Sequence, residues 1–138
     1  MNTYKFEDLH IGLNAEFVVT VTKEMVDSFL NISQDNNPLH VDVQFAKNRG
    51  FKDKVVYGML TSSFYSKLIG VYLPGRHCLL HGIKINFNHP VFTGDVLTVH
   101  GEISYVNETY KQIEIKAHIT NQDNKKVSTA NIKVGVNE

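Results

Sequence analysis

The second half of the chain alternates between apolar and polar positions. Ile83, Ile85 and Phe87 interleave with Lys84, Asn86 and Asn88. Ile113, Ile115, Ala117 and Ile119 then occupy every second position of a later run. A period of two is the pattern of a strand with one face against a core. The runs are separated by turn signals: Thr93-Gly94-Asp95 before VLTVHGEISYV, Asn107-Glu108 before TYKQIEIKAHIT, and a hairpin loop NQDNKK before VSTANIKVGV. Everything after Gly75 therefore reads as consecutive antiparallel strands. One further strand is expected earlier, at Ala15 to Val21 (AEFVVTV), behind an irregular lead-in over 1–14.

Between that first strand and Gly75 the period changes. Met25, Val26, Phe29 and Leu30 recur at helical spacing behind Thr22, a good N-cap. Asp42 can cap a second short helix, VQFAKNRG, with Phe45 and Ala46 turned inwards and Gly50 at its C-terminal end. FKDKVV, residues 51–56, connects to the next element. Gly58 to Tyr72 is apolar round most of its circumference, with Met59, Leu60, Phe64, Tyr65, Leu68, Ile69 and Val71 separated by small residues. A helix of that kind is expected to be buried, and Pro74-Gly75 should end it. One buried helix beside several long antiparallel strands predicts an α+β layer structure, a sheet wrapped round a helix. Such a sheet has an edge to protect, which a twofold dimer joined edge to edge would cover.

The stretch that fits neither period is SQDNNPLH, residues 33–40. Pro38 fixes its own φ and pushes Asn37 towards an extended conformation, so the segment is a stiff corner. It holds a carboxylate at Asp35 and an imidazole at His40. On the residues alone, two readings stand: an Asx-turn with an ordinary histidine, or an acid/base pair at a set separation.

DNNPLH also resembles the Asp-x-Asn-Pro-Leu-His signature of the MaoC-like (R)-specific enoyl hydratases, a branch of the hotdog superfamily. The likeness continues through HVDVQFAKNRGF, VVYGML at 55–60 and NHPVFTGDVL at 88–97, in the family's order and spacing. It spans roughly residues 26 to 100. Gln34 departs from it where glycine or glutamate is common, and Tyr57 where histidine is frequent. The resemblance implies a hotdog fold for one domain over 1–138, its sheet wrapped around one long buried helix. It implies a hydro-lyase that adds water reversibly, in syn fashion, to trans-2-enoyl thioesters to give (R)-3-hydroxyacyl thioesters. In that chemistry Asp35 is the base that passes a proton on, and His40 orients and activates the water.

Gly58, a glycine at a helix start, suits a backbone N–H that meets the thioester oxygen as it gains charge. Ser66 matches a family serine that assists substrate or water; a small residue in a tight packing site is the other reading. Lys47, Arg49, Lys52 and Lys54 form a basic patch suited to coenzyme A phosphates or the acidic surface of an acyl carrier protein, with Arg76 and Lys84 as weaker candidates. His77 and His81 are four apart but lead into a strand with no third ligand near, so no metal is expected. Cys78 has no basic neighbour in sequence to activate it.

Composition narrows the rest. Hydrophobic residues make up 42% and charged residues 20% of 138, an ordinary globular balance. Fourteen basic and fourteen acidic residues cancel, which removes any global electrostatic case for nucleic acid. The single cysteine cannot form an internal disulfide. MNTYKFEDLH lacks the basic and apolar regions of a signal peptide, and no apolar run reaches the roughly 18–20 residues that span a bilayer. A cytoplasmic protein is expected, with no membrane partner. No redox cofactor is expected, coenzyme A or phosphopantetheine entering only as part of the substrate. The competing readings are a hotdog thioesterase, which usually places a carboxylate in the buried helix, where 58–72 has none, and a non-catalytic acyl-thioester-binding module.

Overall fold

The computed structural model describes residues 1–138. Five antiparallel strands form a single sheet in the order β1-β3-β4-β5-β2. They run over Asn14–Thr20 (β1), Cys78–Phe87 (β2), Val96–Asn107 (β3), Gln112–Thr120 (β4) and Lys126–Val136 (β5). The helices are Lys23–Ser33 (α1), Pro38–Val41 (α2), Val43–Asn48 (α3) and Gly58–Lys67 (α4). The lead-in carries a short 3-10 turn at Phe6–Asp8, and Thr3 bridges to Gly75.

The alternation does what a period of two requires. Ile113, Ile115, Ala117 and Ile119 all point to the face covered by α4, as do Val99 and Ile103 of β3 and Ile132 and Val134 of β5, and all are buried. With Leu60, Phe64, Tyr65, Leu68 and Ile69 they make one continuous core. Gly101 of β3 lets the helix come close: a Cβ there would sit 2.6 Å from Leu68 Cδ2. The core's polar pair is Tyr65 and Ser128, whose hydroxyls meet at 2.8 Å. Burial pushes the Tyr65 phenol up to about 12, so the hydroxyl stays protonated.

Three expectations need correction. The long helix is α-helical only to Lys67 and then widens into a π turn, Leu68–Tyr72, closed by Leu73 N–H to Leu68 O at 2.9 Å. Nor is it buried all round. Met59, Ser63, Ser66 and Lys67 are exposed, so its open stripe carries one methionine and two small serines rather than a charged face. Finally, β2 alternates as expected, but of Ile83, Ile85 and Phe87 only Ile85 packs against the core. Ile83 is 40% and Phe87 54% exposed, on an edge strand with β5 alone beside it.

Candidate active site

The corner is built from short polar side chains that replace the backbone ladder. Thr22 caps α1 by accepting from Met25 N–H, and the helix ends at Gln34 in the left-handed conformation, φ 56. That conformation costs an L-residue with a Cβ roughly 1–2 kcal/mol and costs glycine little. Ser33 Oγ then accepts from Asp35 N–H, Asp35 Oδ1 from Asn37 N–H, and Asn37 Oδ1 from Leu39 N–H, at 3.2, 3.1 and 3.0 Å. The Asn37 bond caps α2, whose first residue is Pro38, and Asp42 caps α3 by accepting from Phe45 N–H. The Asx-turn and the acidic side chain are thus one and the same feature. His40 lies in α2 rather than in the corner itself.

Three bonds from the 55–57 segment hold this corner, the first from Val55 N–H to Leu39 O at 3.1 Å. His40 Nδ1 lies 2.6 Å from Val55 O. A carbonyl only accepts, so Nδ1 carries a proton, and in the neutral tautomer that fits this bond Nε2 is the acceptor. The Tyr57 ring stacks on the His40 ring with centroids 4.1 Å apart, while its hydroxyl donates to Asp35 O at 2.7 Å. Phe29 of α1 packs behind Tyr57 at 4.9 Å. An aromatic pair of this kind contributes about 0.5–1.5 kcal/mol beyond its buried area. Burial, and next the charge of Asp35, raises the Tyr57 phenol, which keeps it a donor.

His40 and Gly58 open on the same cavity, of about 360 Å³, whose wall includes Phe51, Val55, Thr61, Phe87, Asn88 and His89. Gly58 starts α4 with no side-chain cap, and its N–H has no acceptor within the chain. A helix N-terminus with a free N–H favours a negatively charged oxygen. A Cβ on Gly58 would lie 2.9 Å from the Phe87 ring, which would have to shift to admit it. One cavity therefore joins an imidazole acceptor to a backbone donor, the two polarities that water addition to a conjugated carbonyl requires.

The other candidates fall in different places. Asp35 is exposed and does not line the cavity; it is tied to His40 through Tyr57. Ser66 lies eight residues beyond Gly58, about 12 Å along the helix axis, on the exposed stripe. Lys52 sits over the Phe92 ring at 4.7 Å, in a depression that shares His89 and Pro90 with the cavity. Arg49 covers Phe45, and Lys54 is exposed on the same segment. Arg76 is bonded through its N–H to Asn2 O, past the far end of the helix and away from the cavity. His77 faces Asn137 O, whereas His81 accepts from Gln112. No three His, Cys, Asp or Glu side chains gather where they would hold a metal. Burial raises the Cys78 thiol, which disfavours the thiolate.

Sequence reasoning passed over Tyr57, Val55, Phe51 and Phe87 as contributors to the site. Tyr57 registered only as a departure from a pattern. Val55 acts through its carbonyl, for which the sequence carries no signal.

A family described as MaoC like domain matches residues 10–127. The chain belongs to that family. Among MaoC-like relatives it is 35% identical over 102 residues to the (R)-specific enoyl-CoA hydratase of Aeromonas caviae, covering 74% of this chain and 76% of that one. Identity to the enzyme of the same name from Rhodospirillum rubrum is 33%, covering 67% of this chain and 65% of its relative. The fold matches a solved R-hydratase of Pseudomonas aeruginosa with a TM-score of 0.90 at 27% identity, over 97% of this chain and 86% of that one. It matches the solved (R)-hydratase of Aeromonas caviae at 0.89 and 31% identity, over 94% and 98%. The sheet with its central helix is thus the hotdog fold.

Proposed function

We propose that this MaoC-like chain is a hydro-lyase that hydrates trans-2-enoyl thioesters to (R)-3-hydroxyacyl thioesters, and runs the reverse dehydration. The observation that carries the reading is the shared cavity: His40 Nε2, fixed as an acceptor by the Val55 bond, and the unpartnered Gly58 N–H. Its lining is half apolar, as an acyl thioester needs. The names of the relatives agree with this chemistry.

In the mechanism, His40 Nε2 holds a water, and Asp35, whose carboxylate must turn towards the cavity that it does not line, accepts the water's proton as the water oxygen bonds to the β-carbon. The electron pair moves to the thioester oxygen, which Gly58 N–H stabilises. Asp35 then returns the proton to the α-carbon on the same face, so one water is consumed and both protein groups are restored. No metal or redox cofactor takes part in these steps. Lys52, beside the cavity, with Arg49 and Lys54 on the same segment, meets the phosphates of coenzyme A or a carrier's phosphopantetheine.

The same reading makes the working unit a homodimer. The unpaired edge of β2 carries Leu79, Leu80, Ile83 and Phe87 exposed, with Met59 of α4 also open. Phe87 belongs to this uncovered set and to the cavity wall alike, so a second chain on β2 would also close the site.

The test is loss of the enoyl absorbance of crotonyl-CoA on adding purified protein, with the product's configuration determined. Turnover to the (R)-alcohol is expected. Asp35→Asn cannot accept a proton and should lower kcat by about two to four powers of ten, and His40→Ala comparably. An (S)-alcohol, or a folded Asp35→Asn protein with near-normal turnover, would refute the proposal.

A further inference from the structure

We infer that Tyr57 is a positioning residue that couples the two halves of the acid/base pair, its ring setting the plane of the His40 imidazole and its hydroxyl fixing the Asp35 backbone. The inference rests on the proposed hydratase reading for its kinetic arm. Asp35 and His40 are separated by a corner whose side-chain bonds are local, within two residues along the chain, and whose Leu39 O accepts from Val55 N–H at 3.1 Å on the His40 side. Nothing in those bonds sets the separation of carboxylate and imidazole. Tyr57 links the two sides: its ring lies 4.1 Å from the His40 ring and its hydroxyl 2.7 Å from the Asp35 backbone oxygen.

Tyr57 is itself immobilised. It is 2% exposed and backed by Phe29 of α1; Val55, two residues before it, holds His40 Nδ1, and Gly58, directly after it, starts α4. Contacts from residues 55, 57 and 58 therefore reach the histidine, the corner and the cavity.

The role separates cleanly from structure. Asp35 is exposed, so its carbonyl can bond to water once the phenol is gone, and Tyr57→Phe should fold normally. Tyr57→Phe keeps the stack and loses the bond; its kcat for crotonyl-CoA should fall about tenfold, the worth of one hydrogen bond in positioning, with KM within about twofold. Tyr57→Leu loses both and should fall about a hundredfold, as a misplaced group does. Phe29→Leu, which loosens Tyr57 from behind, should lie between wild type and Tyr57→Leu. Restoring Phe at 57 should recover part of what Leu loses.

A second readout needs no turnover. Ring nitrogen NMR, with His40 identified by the signal missing in His40→Gln, should show the Nδ1–H tautomer in the wild type and in Tyr57→Phe. In Tyr57→Leu it should show a mixture of tautomers. Turnover unchanged in both Tyr57 variants, or a change in KM alone, overturns the inference. So does an unchanged tautomer in folded Tyr57→Leu. If the unmutated protein hydrates no enoyl thioester, the hydratase reading fails instead, and the tautomer measurement alone decides the clamp on His40.

Discussion

Strands β4 and β2 carry the same pattern and meet opposite fates. In β4, Ile113, Ile115 and Ile119 are 0% exposed, whereas in β2, Ile83 and Phe87 remain 40% and 54% exposed. The sequence period is two in both. What differs is position: β4 lies at the middle of the order β1-β3-β4-β5-β2 and β2 at its end. Alternation therefore marks a face that will be covered, and says nothing of whether the cover comes from the same chain. In β4 it is α4; in β2 we assign it to a second copy.

The largest test of the difference is truncation in the central strand. Ile115→Ala removes a fully buried side chain from the middle of the core and should cost about 2–5 kcal/mol, read by urea unfolding. An equal cost for Ile83→Ala in the monomeric state would abolish the contrast.

Next comes overpacking. Gly101 of β3 faces Leu68 and Ile115, neither of which has room to move, so Gly101→Ala should cost about 1–3 kcal/mol. Gly135 of β5 gives the matching control. A Cβ there would meet the His81 ring at 2.4 Å, but His81 is exposed and can swing aside. Gly135→Ala should therefore unfold at nearly the wild-type urea concentration, and an equal loss at both glycines would contradict the distinction between core and edge.

These contrasts explain what was legible. Ile113 to Ile119 announce their strand, and Thr22 and Asp42 announce their helices, because each is a local preference satisfied by neighbours within four residues. The turn at Gly94 and the end of α3 at Gly50 were readable for the same reason, both requiring positive φ. The helix over 58–72 was readable as an element but not in its open stripe. Met59, Ser63 and Ser66 are apolar or small, and such residues look alike whether they face a core or a partner. Asp35, His40 and Gly58 were legible through a resemblance, whereas their geometry was not. It depends on Val55 and Tyr57, fifteen and twenty-two residues from the groups they hold, and no periodic signal spans that distance.

Charge on the uncovered face probes β2 without touching β4. Ile83→Lys places an ammonium where an exposed isoleucine stands, so the isolated chain should lose no more than about 0.5 kcal/mol, as for other surface changes. The expected dimer should dissociate, since a desolvated unpaired charge at an apolar interface is strongly unfavourable. Light scattering should then report a monomer for the variant and twice that mass for the wild type. A wild-type monomer at micromolar concentration would remove the partner from the comparison.

The smallest effect comes from the opposite face of β4. Glu16, His100 and His118 stand in register across β1, β3 and β4, and the two histidine rings lie 5.1 Å apart. The His118 imidazole titrates below its ordinary 6.5, chiefly because burial disfavours its charged form, then because His100 and Lys126 are close; Glu16 opposes this weakly. The sign follows from linkage. The unfolded chain binds a proton at His118 more readily than the folded one, so the neutral ring contributes its full stability above pH 6.5. That contribution is lost as pH falls from 6.5 towards the folded-state value, and the loss levels off below it. His118→Gln, which cannot charge, should flatten this part of the stability-against-pH curve, measured by urea unfolding between pH 7.5 and roughly pH 5, the range in which histidine titrates. A slope that survives His118→Gln in the folded protein would remove the titrating group from the centre of the sheet.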